Sequence, residues 1–96
     1  MYIKDNEDAS LTRERILAAL EALSGKLAER NITGEICLFG GTVMVLAFTA
    51  RLATKDVDAV FQPTQTIREL ASILAQQLNL PENWLNDGVK FFSFVI

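Results

Sequence analysis

Two aspartates one residue apart, Asp56 and Asp58, lead into an apolar run just after Thr54 and Lys55, and their spacing can bring both charges to one surface. A strand does so. Its side chains alternate between faces, so both carboxylates share one face, roughly 6–7 Å apart along the backbone, while Val57 and Ala59 face the other way. The run over residues 37–61 reads CLFGGTVMVLAFTARLATKDVDAVF. It sets the pair Gly40-Gly41 after one apolar strand and the aspartates on the next.

These residue types suit a nucleotide and its metal. The glycines allow a backbone turn to approach a triphosphate closely. A helix starting just beyond them would aim its first N–H groups and positive end at the phosphates, with Thr42 near that first turn. One Mg2+ (or Mn2+) fits between the carboxylates, or a pair of ions about 3.5–4 Å apart, and a cation offsets the repulsion of two anions on one face. Arg51, Thr54 and Lys55 precede the aspartates, and Arg51 or Lys55 suits phosphate charge. Each feature also has a plain reading: an aspartate that caps or solvates the strand entry, a tight Gly-Gly turn that touches nothing, and charges in an exposed loop. Their order, with one helix-length segment between them, favours taking them together.

The 96 residues make one small domain, 1–96, too short for a catalytic domain plus a separate substrate domain. Half the residues are apolar, so the chain folds rather than staying disordered. Nine Lys and Arg against twelve Asp and Glu leave a net charge of -3, without a basic cluster to track a nucleic-acid backbone. There is no histidine, which excludes Ser/His/Asp and Cys/His catalysis and His-ligated zinc and leaves carboxylates as the metal ligands. The lone Cys37, inside an apolar run, reads as a small buried hydrophobe in a reducing cytoplasm. The acidic, polar first ten residues do not resemble a signal peptide, and no apolar run approaches the roughly 20 residues of a membrane span. The expectation is a soluble cytoplasmic protein with no membrane partner.

Along the chain, Ser10 is the expected cap of a helix over 10–31, with Ile16, Leu20, Leu23 and Leu27 on its apolar face and Asp5, Glu7 and Asp8 near its positive end. Residues 35–39 read as the first strand, bounded by glycines. The segment 42–51 is either a buried helix or, with Gly40-Gly41 as the turn, the second arm of a hairpin; its apolar run without alternation favours the helix. Residues 56–61 form the second strand, ended by Pro63. Thr66 and Glu69 make a capping box for a helix whose buried stripe is Ile67, Leu70, Ala71, Leu74 and Leu78. Residues 81–86 suit one helical turn, and VKFFSFVI over 89–96 suits a third strand. The predicted fold is a two-layer α/β (α+β) domain, a small mixed sheet packed by helices in the order α-β-α-β-α-β. Trp84 and Phe39 read as core residues.

The Gly-Gly pair followed by RLATKDVDAVF resembles the nucleotidyltransferase superfold shared with DNA polymerase beta, with its glycine turn and its hydrophobic-Asp-hydrophobic-Asp strand. It is most similar to bacterial members of the abortive-infection toxin type. The likeness is strong over residues 36–61 and weaker through the following helix and WLNDGVKFF. It implies transfer of a nucleoside monophosphate from a nucleoside triphosphate to an RNA or protein hydroxyl, with pyrophosphate released. It also implies that Gly40, Gly41 and Thr42 hold the triphosphate, that Asp56 and Asp58 are catalytic and bind the divalent metals, and that the setting is toxin-antitoxin or phage defence.

The chain departs from that pattern in two ways. Catalytic members carry a third carboxylate on a neighbouring strand, whereas VKFFSFVI contains none and Asp87 lies before it. Members also continue into further strands and helices, so a truncated, fragmentary or degenerate copy is expected here. Those departures, and the apolar character of both faces of the last strand, support a competing reading: a non-catalytic module that dimerises or docks on a toxin or antitoxin partner through that strand.

Overall fold

A computed structural model describes residues 10–48 and 53–87 of the chain as a mixed α and β fold. A two-residue strand, β1 (Leu11–Thr12), leads into helix α1 (Arg13–Glu29), which is followed by strand β2 (Glu35–Phe39). A short helix, α2 (Gly40–Val43), widens into a π turn over Met44–Phe48. Strands β3 (Ala53–Thr54) and β4 (Val57–Gln62) come next, then helix α3 (Thr64–Gln77) and strand β5 (Leu85–Asp87). No described helix is long and apolar enough to cross a membrane.

Two sheets result. β1 and β3 pair antiparallel, with Leu11 opposite Thr54. The larger sheet has the order β2-β4-β5, antiparallel between β2 and β4 and parallel between β4 and β5. Its centre is β4, where Val57, Ala59 and Phe61 are buried while Asp58, Val60 and Gln62 face outward. α1 and α3 pack on each other, and their apolar stripes join the buried side of β4 in one core. On α1 the stripe is Ile16, Ala19, Leu23 and Leu27, with Leu20 only half-buried at its margin. On α3 it is Ile67, Leu70, Ala71, Leu74 and Ala75. Leu78, expected in that stripe, is the C-terminal cap and is exposed.

The helix ends follow local rules. α1 is capped by Thr12, whose Oγ1 accepts from the Arg15 N–H at 3.2 Å, and not by Ser10. Residues 11 and 12 are held extended by their pairing with β3, so the helix cannot begin earlier. Ser10 instead accepts through its carbonyl from the Arg15 guanidinium at 2.7 Å. Both long helices end on an asparagine in the left-handed region, Asn31 with φ 59° and Asn79 with φ 57°. The next N–H reaches back to the last turn in each case, Ile32 to the Leu27 carbonyl at 3.0 Å and Leu80 to the Ala75 carbonyl at 2.8 Å. Asparagine accepts this conformation more readily than most residues because its short polar side chain bonds locally.

Several expectations are corrected. α3 starts at Thr64 after Pro63, so Thr66 is not its cap; Thr64 Oγ1 donates to the Phe61 carbonyl at 3.0 Å, and Glu69 accepts from Gln65 Nε2 at 3.2 Å. The segment after Gly40-Gly41 is helical and not a hairpin arm, but it starts at Gly40 and buries only one side: Thr42 and Val45 are enclosed and Met44 is exposed. The Arg13 guanidinium ties it to α1 by donating to the Leu46 carbonyl. Cys37 is exposed, not buried, because it falls on the outward face of β2 opposite Val60. Phe39, on that same face, is half-buried.

The third strand of the sheet is β5, whose Leu85 and Asn86 are expected from the sequence at the end of a helical turn over 81–86. The chain does turn at Pro81, whose carbonyl accepts from the Trp84 N–H at 3.0 Å. Trp84 then draws it into the sheet. Its ring is fully buried, its Nε1 donates to the Ala71 carbonyl at 2.9 Å, and its carbonyl accepts from the Val57 N–H at 2.6 Å. The run over residues 89–96, expected to be the third strand, lies outside the described residues, as do Asp5, Glu7 and Asp8.

Trp84 thus joins α3 to the edge of the sheet. In urea denaturation Trp84→Phe is expected to cost about 1–3 kcal/mol, from the lost N–H bond and unfilled volume, and Trp84→Ala about 3–5 kcal/mol. Parent-like stability of Trp84→Ala would remove the ring from its structural role.

Candidate functional site

The chain has to pass from one sheet to the other between β3 and β4, and it does so in a bend at Lys55 and Asp56. Two hydroxyls hold that bend. Thr42 Oγ1, from the buried side of α2, and Thr54 Oγ1 both donate to the Asp56 carbonyl, at 3.4 and 3.3 Å. The strand therefore begins at Val57, one residue later than expected. Asp56 stands at its mouth, and only Asp58 is a true strand position.

Asp58 lies on the outward face of β4. Its partner on β2 is Phe39, and its partner on β5 is Asn86. Asn86 Nδ2 donates to Asp58 Oδ1 at 3.1 Å. The other carboxylate oxygen faces the glycine turn: a Cβ built on Gly40 would stand 3.4 Å from Asp58 Oδ2. Gly40 has φ +61°, in the left-handed region where side chains are strained. The pairing of Phe39 with Asp58 places the residue after Phe39 beside the carboxylate, so strand register brings the glycine turn to the aspartate.

Electrostatics tie the two aspartates together. Partial burial pushes the Asp56 carboxyl above the usual aspartate range, the charge of Asp58 pushes it further, and Lys55 acts in the opposite direction. A divalent cation would relieve both destabilising causes. The donor set suits a hard oxygen-preferring ion, and Asp56 with Asp58 would hold it. Among the described residues, no group of three or more Asp, Glu, His or Cys could hold a metal.

The other expected residues fall in different places. In an α-helix the first-turn N–H groups have no acceptor within the helix, and in α2 these belong to Gly40, Gly41 and Thr42. The Thr42 side chain is buried and serves the Asp56 backbone. Lys55 is exposed beside Asp56. Arg51 lies outside the described residues. Asp87 is brought to the strand neighbouring β4, but it is in register with the buried Ala59 and its carboxylate accepts from the Arg68 guanidinium at 2.9 Å. It belongs to the helix side of the sheet, away from Asp58.

Asn86 is the site residue that the sequence did not disclose. A three-residue strand carries too short a pattern to read, and its parallel pairing with β4 spans 28 residues of chain. A groove of about 420 Å3 lies elsewhere, between α1 and the start of β2, lined by Leu20, Leu23, Leu27, Ile32 and Ile36 among others, and contains none of the candidate residues. No protein-family model, curated protein or solved structure matches the chain.

Two outcomes test this geometry. Gly40→Ala forces a side chain into a left-handed position beside a carboxylate, and is expected to cost roughly 1–2 kcal/mol by thermal or urea unfolding. For Asp56, the folded carboxyl holds its proton more tightly than the unfolded one, so its contribution to stability is present at low pH and lost as pH rises through the folded value. In chelator-treated buffer, Asp56→Asn is therefore expected to raise the unfolding midpoint at pH 7. That gain should shrink as pH falls toward the unperturbed aspartate value of about 3.9 and vanish well below it. A gain that grows with acidification would contradict the assignment.

Proposed function

We propose that the chain holds a divalent cation and the nucleoside triphosphate it carries between the turn at Gly40, Gly41 and Thr42 and the pair Asp56 and Asp58. The proposal extends the resemblance to the nucleotidyltransferase fold, with Mg2+ or Mn2+ as the ion. The observation that carries it is the close approach of the left-handed Gly40 to Asp58 Oδ2 at the start of α2. Two features read separately from the sequence meet there.

In this reading Asp56 and Asp58 hold the ion, and first-turn N–H groups of α2 bind phosphate oxygens. When bound, the cation neutralises the carboxylates and the phosphates and draws electron density from the transferring phosphorus. Lys55 and Arg51 add positive charge for the phosphate tail. Transfer to an RNA or protein hydroxyl would form a bond from the acceptor oxygen to the α-phosphorus and break the bond to pyrophosphate, with the acceptor proton leaving. The biological setting proposed with it is toxin-antitoxin or phage defence in the cytoplasm.

A second reading is favoured by Asp87 and Asn86. The neighbouring strand offers an amide to Asp58 and commits its carboxylate to Arg68. That arrangement supports a module that holds the nucleotide without transferring it, and that acts by dimerising or by docking on a toxin or antitoxin partner through its apolar C-terminal run.

Calorimetric titration of ATP, GTP, CTP and UTP, with and without Mg2+, tests the shared premise. Magnesium-dependent binding of at least one nucleotide is expected, lost in the Asp56→Asn, Asp58→Asn double variant while the thermal transition persists. Binding that survives the double substitution, or none to any nucleotide, would overturn the site. Pyrophosphate release from the bound nucleotide then separates the transferase from the binding module.

A further inference from the structure

β2 stands at one edge of its sheet: among the described residues it pairs with β4 and with nothing on its other side. Its outer row of N–H and C=O groups is open to a further strand. The core is also unfinished along that flank. Ile36 and Leu38 face inward, opposite the buried Phe61 and Ala59, yet are only half-buried, as are Ile32 and Leu20 beside them. The uncovered volume is the groove of about 420 Å3 between α1 and β2, with the exposed Ser24 and Ala28 among its lining residues. On the opposite face of the same edge, Cys37 and Val60 are exposed. A strand laid along β2 would meet apolar surface on both of its faces.

The chain carries a run of that kind. In VKFFSFVI over residues 89–96 the alternate positions Phe92, Phe94 and Ile96 are apolar, and so are Val89, Phe91 and Val95 between them. Deepening the second reading above, in which the protein dimerises through this run, we infer that residues 89–96 of a second copy add to the free edge of β2 and fill the groove beside α1. The inference does not depend on the aspartates. Topology favours the second copy over the chain's own run. β5 and β2 stand on opposite sides of β4, and β5 at Asp87 points toward the end of the sheet where Gln62 faces Glu35 and the chain turns through Pro63 into α3. From there the far side of β2 is three strand spacings away, about 14 Å, which takes at least roughly four residues before the run reverses along the strand. What then remains is shorter than Glu35–Phe39. A second copy has no such crossing to make, and a two-fold exchange makes the contact twice and covers both free edges.

Sedimentation of the full chain over a concentration series tests this. The parent is expected to be a reversible dimer. The groove variant Ser24→Arg, Ala28→Arg charges two exposed positions with a residue that a helix accepts, and the run variant Phe92→Asp, Phe94→Asp charges the inserted strand. Each should be monomeric where the parent is dimeric, with its cooperative unfolding transition kept. Each also retains the half of the contact that the other has lost. Mixed in equal amounts at high concentration, they should form a heterodimer held by one contact in place of two. Hydrogen exchange of the parent gives an independent readout that needs no variant: the outward amides of Glu35–Phe39 should exchange more slowly above the dimerisation range than below it.

The failures are distinguishable. A groove variant that stays dimeric, β2 amides that gain no protection, or a mixture that stays monomeric would overturn the strand exchange, while dimerisation through the run stands if the run variant alone is monomeric. A dimer unmoved by the run variant, or a parent monomeric throughout, would overturn the inference and the dimerising reading together.

Discussion

The alternation of Val57–Gln62 is the constraint on which the rest of the structure depends. β4 pairs with both β2 and β5, and its inward residues Val57, Ala59 and Phe61 complete the core against α1 and α3. A slip of one residue would exchange the faces, exposing Phe61 and driving Asp58 among the helices. Full burial of a side chain such as Val or Phe contributes about 1.5–3 kcal/mol, and an uncompensated buried carboxylate costs several more. The register is thereby held by apolar residues that take no part in any chemistry. Its consequence is that Asp58 faces outward with Phe39 on one side and Asn86 on the other.

Asp56 depends on a different feature, the junction between the two sheets. β1 and β3 hold the chain on one side and β4 takes it up on the other, so residues 55 and 56 must bend. A bend leaves backbone carbonyls without ladder partners, and the Asp56 carbonyl is met by the hydroxyls of Thr42 and Thr54. Thr42 enters from the first turn of α2, so one side chain couples the glycine turn to the position of Asp56. The two aspartates are thus placed by independent means, one by strand parity and one by a tethered bend. Their charges still interact, which is part of why the Asp56 carboxyl is pushed up.

Much of this was legible in the sequence where the signal is local. Residues 35–39 show as a strand, the apolar stripes of α1 and α3 show by their helical spacing, and the pairing of a glycine turn with Asp58 shows as an ordered motif. What was hidden depends on contacts distant in the chain. Thr12 rather than Ser10 caps α1 because β3 holds residues 11 and 12 extended. Cys37 is exposed because the sheet has an outward face that apolar composition alone does not reveal. Leu85 and Asn86 read from sequence as the end of a helical turn because the strand character of β5 comes from the burial of Trp84 and the bond from Val57, not from its own three residues. Asn86 acquires a role only once that pairing exists.

The same pairing decides whether Asp87 can join the aspartates. Its ion pair with Arg68 involves two substantially solvent-accessible side chains, and such pairs contribute only about 0–1 kcal/mol. The ion pair is therefore not what keeps Asp87 away. Its place is set by register, since it stands beside Ala59 on the helix side of the sheet. Bringing it to the Asp58 face would require β5 to slip by one residue, turning Leu85 out of its contact with the core and breaking the bond from the Val57 N–H to the Trp84 carbonyl. Because Trp84 is fully buried and bonded to α3, that slip would also disturb the helix packing. The tryptophan anchor thus determines that an amide, and not a third carboxylate, faces Asp58 from β5.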